Sequence, residues 1–536
     1  MRLNRIEIRN HSRITDKEIE VRDHLVLVGP NDVGKSSLLR CLDFLLGAST
    51  AQLYTRISGE DFTDPAAPFT IEADLTGLDL TEQAHFPDET AVDPDTGALT
   101  LTLRLEATID ANDTLSITRY APHGGTNRQL SRDQLDAVGW KLLGANAMAR
   151  DLRDGRRSSF DDILQGVDLG LEKATFDTLI KNVQEAIDKS ATLGELRTQL
   201  AKQLSKALPV AIDKDTLALE TAALADGDVL ADVRLRMSSG GTTKDISEQS
   251  DGLRALYALA LYDLVSVGSN MVAIDEPEIH LHPTSQRSLA RLLQEGHNQK
   301  FLATHSPDIV SAFPTDCIVS VRAGGRLVQP KSGFLSDDEK MVLRWWVRDR
   351  LEPLTATQVL AVEGMSDRII VERVAEVTGR HLDRLGITVM EAGGANDMPP
   401  IIKLFGASGF NVELILLIDE DARNSTAKAL GHTPTDLEAN GVYVSNPDLE
   451  GEYVAALGAE VTWTALEDSG LFRHGSLKHC SATGPDGTRT EEDVRAFCVH
   501  KKNKVYAAMA VAQVLTAETA AKIVSVNAVL TTAVTA

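Results

Sequence analysis

Cysteine is scarce in this chain, with four residues among 536: Cys41, Cys317, Cys480 and Cys498. They lie far apart and form no Cys-x-x-Cys pair, which argues against both a zinc ribbon and a disulfide framework. Apolar runs of about 18 residues or more are also missing, and no signal-like segment follows the first residue. These absences predict a protein of the reducing cytoplasm that has no membrane partner.

Basic side chains are in the minority. The chain has 54 Lys and Arg residues against 78 Asp and Glu residues, which gives a formal net charge of −24. This balance excludes a protein that coats nucleic acid or an anionic membrane with its whole surface. Any contact with nucleic acid must therefore be local. The length allows about three or four structural units.

An apolar strand at 24–28 leads directly into Gly29-x-x-x-x-Gly34-Lys35-Ser36. This spacing predicts a phosphate-binding loop, whose backbone N–H groups surround the nucleotide phosphates while the lysine reaches the β- and γ-phosphates. The Ser36 hydroxyl is the expected ligand of a Mg²⁺ ion at the start of the next helix. The ATP-binding residues predicted here are Gly29, Asn31, Gly34, Lys35, Ser36 and Ser37.

A second apolar run, 270–274, ends in the two carboxylates Asp275 and Glu276. We predict that Asp275 binds the same Mg²⁺ as the P-loop serine and that Glu276 orients or deprotonates the attacking water. The next strand leads to His305, which is predicted to sense the γ-phosphate. An acidic strand cap and a structural histidine are the simpler interpretations, but the order of these residues after the P-loop favours a nucleotide site.

Together these motifs resemble the ABC-type ATPases of the recombination and chromosome-maintenance branch. The resemblance implies that ATP, with one Mg²⁺, is bound between two subunits, so the protein is expected to be at least a dimer. The signature loop of such ATPases would correspond to 247–252, where Ser250 and Gly252 would contact ATP. This loop departs from the Ser-Gly-Gly pattern of the family. The nearby 238–241 has that pattern, but no helix directly follows it.

The composition divides the ATPase region into parts. We assign 1–130 and 211–335 to the two parts of the ATPase lobe. Between them, 131–210 is rich in Leu, Ala, Lys, Arg and Glu and is predicted to be a helical insert, which serves either packing or dimerisation. A basic, aromatic linker follows at 336–355. Its tryptophans either pack between domains or lie against nucleic acid.

Beyond the linker, predicted strands alternate with predicted helices. The strands are expected at 358–363, 386–391, 412–419 and 441–445, and the helices at 366–378 and 396–408. This alternation predicts an α/β domain with a parallel sheet, whose active groups lie at the carboxyl ends of the strands. We assign 356–515 to this domain and 516–536 to a C-terminal tail.

Acidic residues follow several of these strands. They are Glu363, Asp367, Asp419, Asp421, Asp448 and Glu450. Carboxylates that meet at one edge of a sheet would repel one another unless divalent cations joined them, and oxygen ligands favour Mg²⁺ or Mn²⁺ over zinc. A pair of such ions is the arrangement that cleaves phosphodiesters. A single acidic residue at a strand end is often only a solvated cap, whereas three such groups together indicate a site.

The stretches Glu363-Gly-Met-Ser-Asp367 and Asp419-x-Asp421 resemble the paired motifs of the Toprim fold, which topoisomerases, primases and some nucleases share. A Toprim domain after an ABC-type ATPase resembles the OLD (overcoming lysogenization defect) family, which includes the nuclease subunit of the Gabija anti-phage system. The resemblance implies two Mg²⁺ or Mn²⁺ ions in this domain. Their ligands would be Glu363, Asp367, Asp419, Asp421 and Glu450, with Asp448 as a further candidate.

The resemblance also implies a lysine that stabilises the transition state. The run 500–504 supplies it, and Lys504 is preferred over Lys502. A role in steering phosphate is the alternative for this cluster. With Glu363, Asp419 and Asp421, the preferred lysine completes the predicted catalytic set for cutting.

The predicted function is a metal-dependent DNA endonuclease regulated by an ABC-type ATPase, and phage defence is implied by the resemblance alone. The alternative is a recombination-mediator ATPase that binds DNA without cutting it, which leaves the second acidic cluster unexplained. A topoisomerase or a primase would need a tyrosine module or a zinc unit, and neither is visible. DNA is the expected partner, and the resemblance allows a helicase partner as well.

Overall fold

A computed structural model gives the fold of this chain. It describes residues 1–535 except for 93, 95–96, 126, 144–181, 209, 222–232, 240–241, 246–251, 253–268, 280, 335, 337–350 and 395–397. The described residues form two compact units, which meet in the sequence after Leu327. The two units have separate sheets and separate hydrophobic cores.

Unit 1 contains a parallel sheet, an antiparallel sheet and a smaller third sheet. Its strands are β1 (Arg2–Arg9), β2 (Lys17–Glu20), β3 (Leu25–Val28), β4 (Phe69–Thr76), β5 (Thr90–Val92), β6 (Leu99–Ile109), β7 (Leu115–Tyr120), β8 (Trp140–Leu143), β9 (Leu217–Thr221), β10 (Val233–Ser239), β11 (Thr242–Asp245), β12 (Met271–Asp275), β13 (Gln299–Thr304), β14 (Ile318–Arg322) and β15 (Arg326–Val328). Its helices are α1 (Lys35–Leu46), α2 (Thr50–Arg56), α3 (Leu80–His85), α4 (Arg132–Val138), α5 (Ala191–Ala207), α6 (Pro283–Glu295) and α7 (Pro307–Val310).

The parallel sheet has the strand order β15-β14-β3-β13-β12-β8. β13 pairs in parallel with β3 on one side and with β12 on the other. Every residue of β3 and β13 is buried, as expected for a parallel sheet that is covered on both faces. The carboxyl ends of β3, β12 and β13 lead to the P-loop, to Asp275 and to His305. One edge of the sheet therefore collects the predicted nucleotide-binding residues.

The antiparallel sheet shares a core with helix α1. β1, β4 and β6 form its centre, with β2 and β5 at the edges and β7 also paired to β6. Buried and partly exposed residues alternate along β4, which is the period of a strand with one face in a core. Leu38, Leu42 and Leu45 of α1 are buried in the same cluster. This packing fixes the direction of α1, whose first residue is Lys35.

The predicted helical insert is only partly described. Residues 144–181 lie outside the described chain, whereas Ala191–Ala207 forms a helix as predicted. The start of the insert needs a correction, because Trp140–Leu143 is strand β8, paired in parallel with β12 at the edge of the ATPase sheet. A strand of four residues is too short for its apolar pattern to be distinguished from a turn of helix.

Unit 2 has a parallel sheet in the order β17-β16-β18-β19. Its strands are β16 (Gln358–Val362), β17 (Ile387–Glu391), β18 (Glu413–Asp419) and β19 (Val442–Ser445). Its helices are α8 (Glu352–Thr355), α9 (Met365–Val377), α10 (Met398–Phe405), α11 (Arg423–Leu430), α12 (Leu449–Leu457), α13 (Ala459–Asp468), α14 (His474–Leu477), α15 (Glu491–Val499), α16 (Lys504–Val514), α17 (Ala517–Ala520) and α18 (Val524–Thr535). All neighbouring strands are parallel, which confirms the predicted alternation and places the carboxyl ends of the strands along one edge.

The last helix, α18, belongs to the core of unit 2. Ile523, Val526, Val529 and Leu530 are buried in the cluster that includes the sheet. Ser525 Oγ also forms a hydrogen bond of 2.9 Å with Ser445 Oγ at the end of β19. Residues 516–536 were predicted to be a separate tail, and this burial corrects that boundary. The segment lacks the charged face by which an amphipathic helix is usually recognised.

Two expectations from composition can be compared with the structure. Within the described part of the chain, no helix is both long and apolar enough to cross a membrane. All four cysteines are free thiols, and Cys41, Cys317 and Cys498 are buried.

Candidate nucleotide and metal sites

The P-loop connects β3 to α1 and depends on two glycines. A Cβ at Gly29 would lie 2.1 Å from the carbonyl oxygen of Val321 on β14. Gly34 has a φ of 110°, in the left-handed region that favours glycine, and a Cβ there would lie 2.6 Å from the carbonyl oxygen of Arg13. Both glycines of the motif are therefore required by the backbone itself.

The side chain of Lys35 folds over this loop. Nζ donates to the carbonyl oxygens of Gly29 at 2.9 Å and of Pro30 at 2.6 Å. Burial lowers the pKa of Lys35, although nearby carboxylates oppose the shift. A cavity of about 350 Å³ adjoins the lysine and contains most of the predicted ATP-binding residues. Its lining is Arg13, Asn31, Asp32, Gly34, Lys35, Ser36, Ser37 and Glu276.

Asp275 and Ser36 meet at the edge of the sheet. Ser36 Oγ donates to Asp275 Oδ1 at 2.9 Å, so the two predicted ligands of the ATP-bound Mg²⁺ are direct neighbours. Burial raises the pKa of Asp275, and the hydrogen bond from Ser36 opposes that shift. A hydroxyl and a carboxylate are both oxygen donors of the kind that Mg²⁺ prefers.

Glu276 has an unusual backbone conformation. Its φ is 48°, a value that is uncommon for any residue other than glycine and is often found at functional sites. Its backbone N–H donates to the carbonyl oxygen of Ala303 on β13 at 2.8 Å. Oε1 of Glu276 lies 3.3 Å from Nε2 of His305. The carboxylate predicted to activate water therefore contacts the predicted γ-phosphate sensor.

Three residues at this site were missed by the sequence analysis. Oε1 of Glu278 accepts a hydrogen bond from the backbone N–H of His305, whereas Oε2 is buried without a hydrogen-bond partner in the described chain. Burial raises the pKa of Glu278. Arg13 and Asp32 form an ion pair of 3.0 Å beside the cavity. Glu278 could have been found from the sequence, because it is the third acidic residue at the end of β12. Arg13 and Asp32 lie in loops and match no motif.

The predicted signature loop at 247–252 lies outside the described residues except for Gly252. The roles of Ser250 and Gly252 therefore stay predictions. The residues that follow this loop, 253–264, and most of the 336–355 linker also fall outside the described residues.

The carboxyl edge of the unit 2 sheet collects the second group of acidic residues. Glu363 follows β16, and its Oε1 accepts a hydrogen bond of 2.8 Å from the backbone N–H of Asp419 on the neighbouring strand β18. Asp367 lies in the first turn of α9, where Oδ2 accepts from the backbone N–H of Gly364 at 2.9 Å. The Glu-x-x-x-Asp motif thus places one carboxylate at a strand end and another at a helix start.

Lys504 joins this group from the start of α16. Its Nζ lies 3.4 Å from Asp419 Oδ2 and 3.4 Å from Glu450 Oε2. Burial alone would lower the pKa of Lys504. The negative charges of Asp367, Glu450 and Asp419 outweigh this effect and raise the pKa above its usual value. The preferred lysine of the sequence analysis therefore lies beside the predicted carboxylates, although 85 positions separate it from Asp419.

Glu450 is the most deeply buried of these carboxylates. It is 0% exposed, and neither carboxylate oxygen has a hydrogen-bond partner in the described chain. Burial raises the pKa of Glu450 to about 8, with Lys504 opposing the shift. Burial also raises the pKa of Glu363 to about 7 and that of Asp419 to about 6. These side chains form a poorly solvated acidic cluster.

Asp448 and Asp421 are placed differently. Nε of Arg495 donates to Asp448 Oδ1 at 3.1 Å and to Oδ2 at 3.0 Å. Asp448 Oδ1 also accepts from the backbone N–H of Gly451 at 2.7 Å and so caps α12. Asp421 is exposed in the turn after β18. No sequence motif points to Arg495, because its partner Asp448 lies 47 positions away in the chain.

The acidic cluster suits a divalent metal in its chemistry. In the described chain, no three His, Cys or carboxylate groups converge closely enough to bind an ion as they stand; the nearby positive charge is that of Lys504. Neither oxygen of the buried Glu450 accepts a hydrogen bond in the described chain, although Lys504 lies 3.4 Å from Oε2. Such oxygens call for a further partner, and an all-oxygen donor set favours Mg²⁺ or Mn²⁺. The residues best placed to hold such ions are Glu363, Asp367, Asp419 and Glu450.

Two protein families match this chain. Residues 25–311 match the family described as "AAA domain, putative AbiEii toxin, Type IV TA system". Residues 354–421 match the family described as "Overcoming lysogenization defect protein-like, TOPRIM domain". The first match covers more than half of the chain and includes the P-loop, Asp275 and His305. The second includes Glu363, Asp367, Asp419 and Asp421.

Two curated proteins resemble the chain over most of its length. The OLD nuclease of Thermus scotoductus (strain ATCC 700910 / SA-01) is 24% identical over 463 residues, which cover 78% of this chain and 82% of that protein. The endonuclease GajA of Bacillus cereus (strain VD045) is 21% identical over 429 residues, which cover 74% of this chain and 71% of that protein. Among solved structures, an Smc head bound to the C-terminal winged-helix domain of ScpA matches with a TM-score of 0.41 and 17% identity, over 64% of this chain and 100% of that one.

Proposed function

The chain belongs to the OLD family, with a P-loop ATPase domain followed by a TOPRIM domain, and from this we propose that it is an ATP-hydrolysing, divalent-metal-dependent DNA endonuclease. The observation that carries the proposal is the buried Glu450, whose oxygens accept no hydrogen bond in the described chain. This carboxylate lies beside Lys504 and Asp419 at the carboxyl edge of the TOPRIM sheet. A protein that only bound DNA would have no use for this cluster, so the recombination-mediator alternative is not favoured.

The ATPase site supports hydrolysis by positioning. Lys35, which bonds to two loop carbonyls, would exchange them for the β- and γ-phosphates, since an ammonium pairs better with an anion than with a carbonyl. Ser36 and Asp275 would hold the Mg²⁺ of the nucleotide. Glu276 would orient and deprotonate the water, with His305 holding its carboxylate at the γ-phosphate.

The TOPRIM site supports phosphodiester cleavage. Two Mg²⁺ or Mn²⁺ ions held by Glu363, Asp367, Asp419 and Glu450 would activate water and stabilise charge on the scissile phosphate. Lys504 would place its ammonium beside the same phosphate, where it would favour the extra negative charge of the transition state. Asp421 is exposed and would join the site through the turn after β18.

The assembly and the biological role are part of the proposal. We expect at least a dimer that binds ATP between subunits, in which Ser250 and Gly252 face the nucleotide of the partner. We infer the DNA substrate because both relatives are named as nucleases. A role in phage defence or DNA processing, and a helicase partner, would fit the same family.

A plasmid assay tests the proposal. Purified protein is incubated with supercoiled plasmid and Mg²⁺ or Mn²⁺, with and without ATP, and EDTA serves as the control. Nicked or linear DNA that depends on the metal is expected. Relaxed circles would indicate a topoisomerase, and unchanged plasmid under every condition would overturn the proposal. An Asp419→Ala variant identifies the TOPRIM cluster as the source of any cutting.

A further inference from the structure

A corner of unit 2 presents exposed basic side chains close to the acidic cluster. Helices α15 and α16 meet at the turn 500–503, and the segment 471–483 runs along α15 from its end towards its beginning. The exposed side chains Arg473, Lys478, Lys501 and Lys502 are called here the basic corner. None of these four residues takes part in the chemistry proposed above.

The turn 500–503 is closely held. The backbone N–H groups of Asn503 and Lys504 both donate to the carbonyl oxygen of His500, at 2.7 and 3.0 Å. Asn503 Nδ2 donates to the carbonyl oxygen of Phe497 at 2.9 Å. Lys502 is two positions before Lys504, so their Cα atoms are at most about 7 Å apart. The turn therefore holds its two exposed lysines close enough to Lys504 to reach the phosphates that would neighbour the reacting one.

The segment 471–483 is fixed against the same corner. The ring of Phe472 packs between Phe497 and Tyr506, at centroid distances of 5.5 and 6.1 Å. Further along, the carboxylate of Asp493 accepts a hydrogen bond of 2.9 Å from the backbone N–H of Thr483. Arg473 follows Phe472 directly and thus lies next to the turn that carries the lysines. This packing places Arg473 at the corner, and Lys478 follows five positions later on the same segment, towards the beginning of α15.

The charge of this corner is opposite to that of the whole chain. The ranges 469–485 and 499–517 contain no Asp or Glu, whereas the chain carries a net charge of −24. The acidic residues Glu491 and Glu492 are at the beginning of α15, away from the turn 500–503. The acidic cluster itself faces Lys504, which is turned inward to Asp419 and Glu450. A local basic surface of this kind is what an acidic protein needs to bind the DNA backbone.

We propose that the basic corner is the DNA-backbone contact of this nuclease, which binds the phosphates beside the one that is cut. The proposal rests on the proposed function, because it takes duplex DNA as the substrate. Arg473, Lys478, Lys501 and Lys502 neutralise phosphates without reading bases. They supply affinity and position the strand, whereas Lys504 acts on the reacting phosphate.

The experiment measures the binding of a fluorescent DNA duplex by anisotropy in EDTA, which removes the metal and prevents cutting. Two variants, Lys501→Gln/Lys502→Gln and Arg473→Gln/Lys478→Gln, are compared with the wild-type chain between about 50 and 200 mM salt. The slope of log K against log salt is negative, and each lost phosphate contact should make it less negative by about 0.9. Each double variant should therefore have a slope that is less negative by about 2. We also expect affinity to fall at least tenfold at the lower salt concentration.

The control variant is Arg384→Gln/Lys428→Gln, which removes the same charge. Arg384 precedes β17 and Lys428 is in the last turn of α11, so both lie towards the amino ends of the strands. The control should bind DNA like the wild-type chain. In Mg²⁺, the basic-corner variants should raise KM for plasmid more than they lower kcat.

Equal affinity and slope in the wild-type chain and the basic-corner variants would overturn the proposal, as would an equal loss in the control. A wild-type chain that cuts plasmid in Mg²⁺ but binds no duplex in EDTA would also overturn it and leave the proposed function standing. Failure of the wild-type chain to cut any DNA in Mg²⁺ is a separate result, which counts against the function itself.

Discussion

Nζ of Lys504 lies 3.4 Å from Oε2 of Glu450, a carboxylate whose side chain is only 1% exposed. A buried carboxylate without hydrogen bonds is costly unless a cation compensates it, and in this chain the cation is a lysine from a helix 54 positions further on. The same ammonium approaches Asp419. Lys504 therefore stabilises the acidic cluster and also presents a positive charge to whatever phosphate enters it.

Lys504→Ala should lower the rate of DNA cleavage far more than the affinity for DNA. A cation beside the reacting phosphate acts mainly in the transition state, so we expect a loss in kcat of about 100-fold or more. Single-turnover cleavage and anisotropy binding are measured on the same preparation. Lys502→Ala is the contrast, because it should lower affinity more than rate. If Lys504→Ala lowered the affinity for DNA as much as the cleavage rate, Lys504 would only bind the DNA backbone.

Arg495→Ala should weaken metal binding although Arg495 is not a ligand. Arg495 holds Asp448, which caps α12, and the next residue, Leu449, donates its backbone N–H to Asp419 Oδ1 at 3.1 Å. Loss of such a supporting contact typically costs about 10- to 100-fold in metal affinity or activity. Mn²⁺ binding by electron paramagnetic resonance gives a readout that is independent of cleavage.

The comparison of Arg495→Ala with Asp448→Asn separates two roles for Asp448. If Asp448 only positions α12, both variants should weaken Mn²⁺ binding to a similar extent, and Arg495→Lys should restore part of it. A much larger loss in Asp448→Asn would identify Asp448 as a ligand. Arg373→Ala, which breaks an ion pair on α9 with Glu376, is the control and should bind Mn²⁺ normally.

Glu276→Gln should slow ATP hydrolysis by at least about 100-fold while ATP binding is kept. The amide preserves the shape of the side chain but cannot accept the proton of the attacking water. The trapped nucleotide should favour the closed dimer, which light scattering would detect with ATP present. Glu295→Gln, on the exposed end of α6, is the control and should hydrolyse ATP normally. A chain that is monomeric with and without ATP would count against the binding of ATP between two subunits.

Unit 1 should lose stability as the pH falls from about 6.5 to about 4. Burial lowers the pKa of His11 to about 4, with Asp61 opposing the shift and Arg40 and Arg13 supporting it. In that window the unfolded chain binds a proton that the folded chain does not, so the free energy of unfolding rises with pH. This contribution is at most about 3.4 kcal/mol and is fully present above pH 6.5.

His11→Asn tests this dependence. Nδ1 of His11 accepts from the backbone N–H of Arg13 at 2.9 Å, and an Asn oxygen can accept the same bond. The variant loses the ring contact with Phe69 and should be less stable at pH 7, but its stability should change less between pH 7 and pH 5. Calorimetry measures the unfolding of unit 1, which is identified as the transition whose midpoint temperature changes when ADP is added. An unchanged pH dependence in the variant would show that other groups control it.

The sequence predicted well those features that are encoded locally. The P-loop, the ends of β12 and β13, and the strands of unit 2 each follow from a short apolar run next to a polar motif, because parallel strands collect their carboxyl ends at one edge. Lys504 was predicted from the family resemblance, which implies a lysine in the run 500–504. Family resemblance supplied the link between these motifs and their chemistry.

The features that were missed depend on tertiary contacts. Nothing near Asp448 in the sequence indicates that Arg495 pairs with it, and nothing near Ser445 indicates that α18 packs there. β8 was assigned to a helical insert because its few apolar residues fit either period. Its identity as a strand is decided by its pairing with β12.

The two chemistries should be separable, because they use different sheets. The ATP site draws on Lys35, Ser36, Asp275 and Glu276 in unit 1, whereas the cutting site draws on Asp419 and its neighbours in unit 2. Asp419→Ala should abolish metal-dependent cleavage and leave ATP hydrolysis intact. Asp419→Asn is a matched variant, since its amide oxygen can still accept from the backbone N–H of Leu449, so it removes the charge but keeps this local hydrogen bond.

Lys35→Ala should do the converse and abolish ATP turnover while the acidic cluster is unchanged. The effect of this variant on cutting then measures the coupling between ATP turnover and cleavage. A closed ATPase dimer can change the cleavage rate only if it stabilises one arrangement of the TOPRIM units more than another. Phosphate release and plasmid cleavage are measured in parallel for both variants, with circular dichroism to confirm folding. Undiminished metal-dependent cutting by folded Asp419→Ala and Asp419→Asn chains would place the nuclease centre elsewhere, because without that carboxylate the cluster cannot hold its cations against the charge of Lys504.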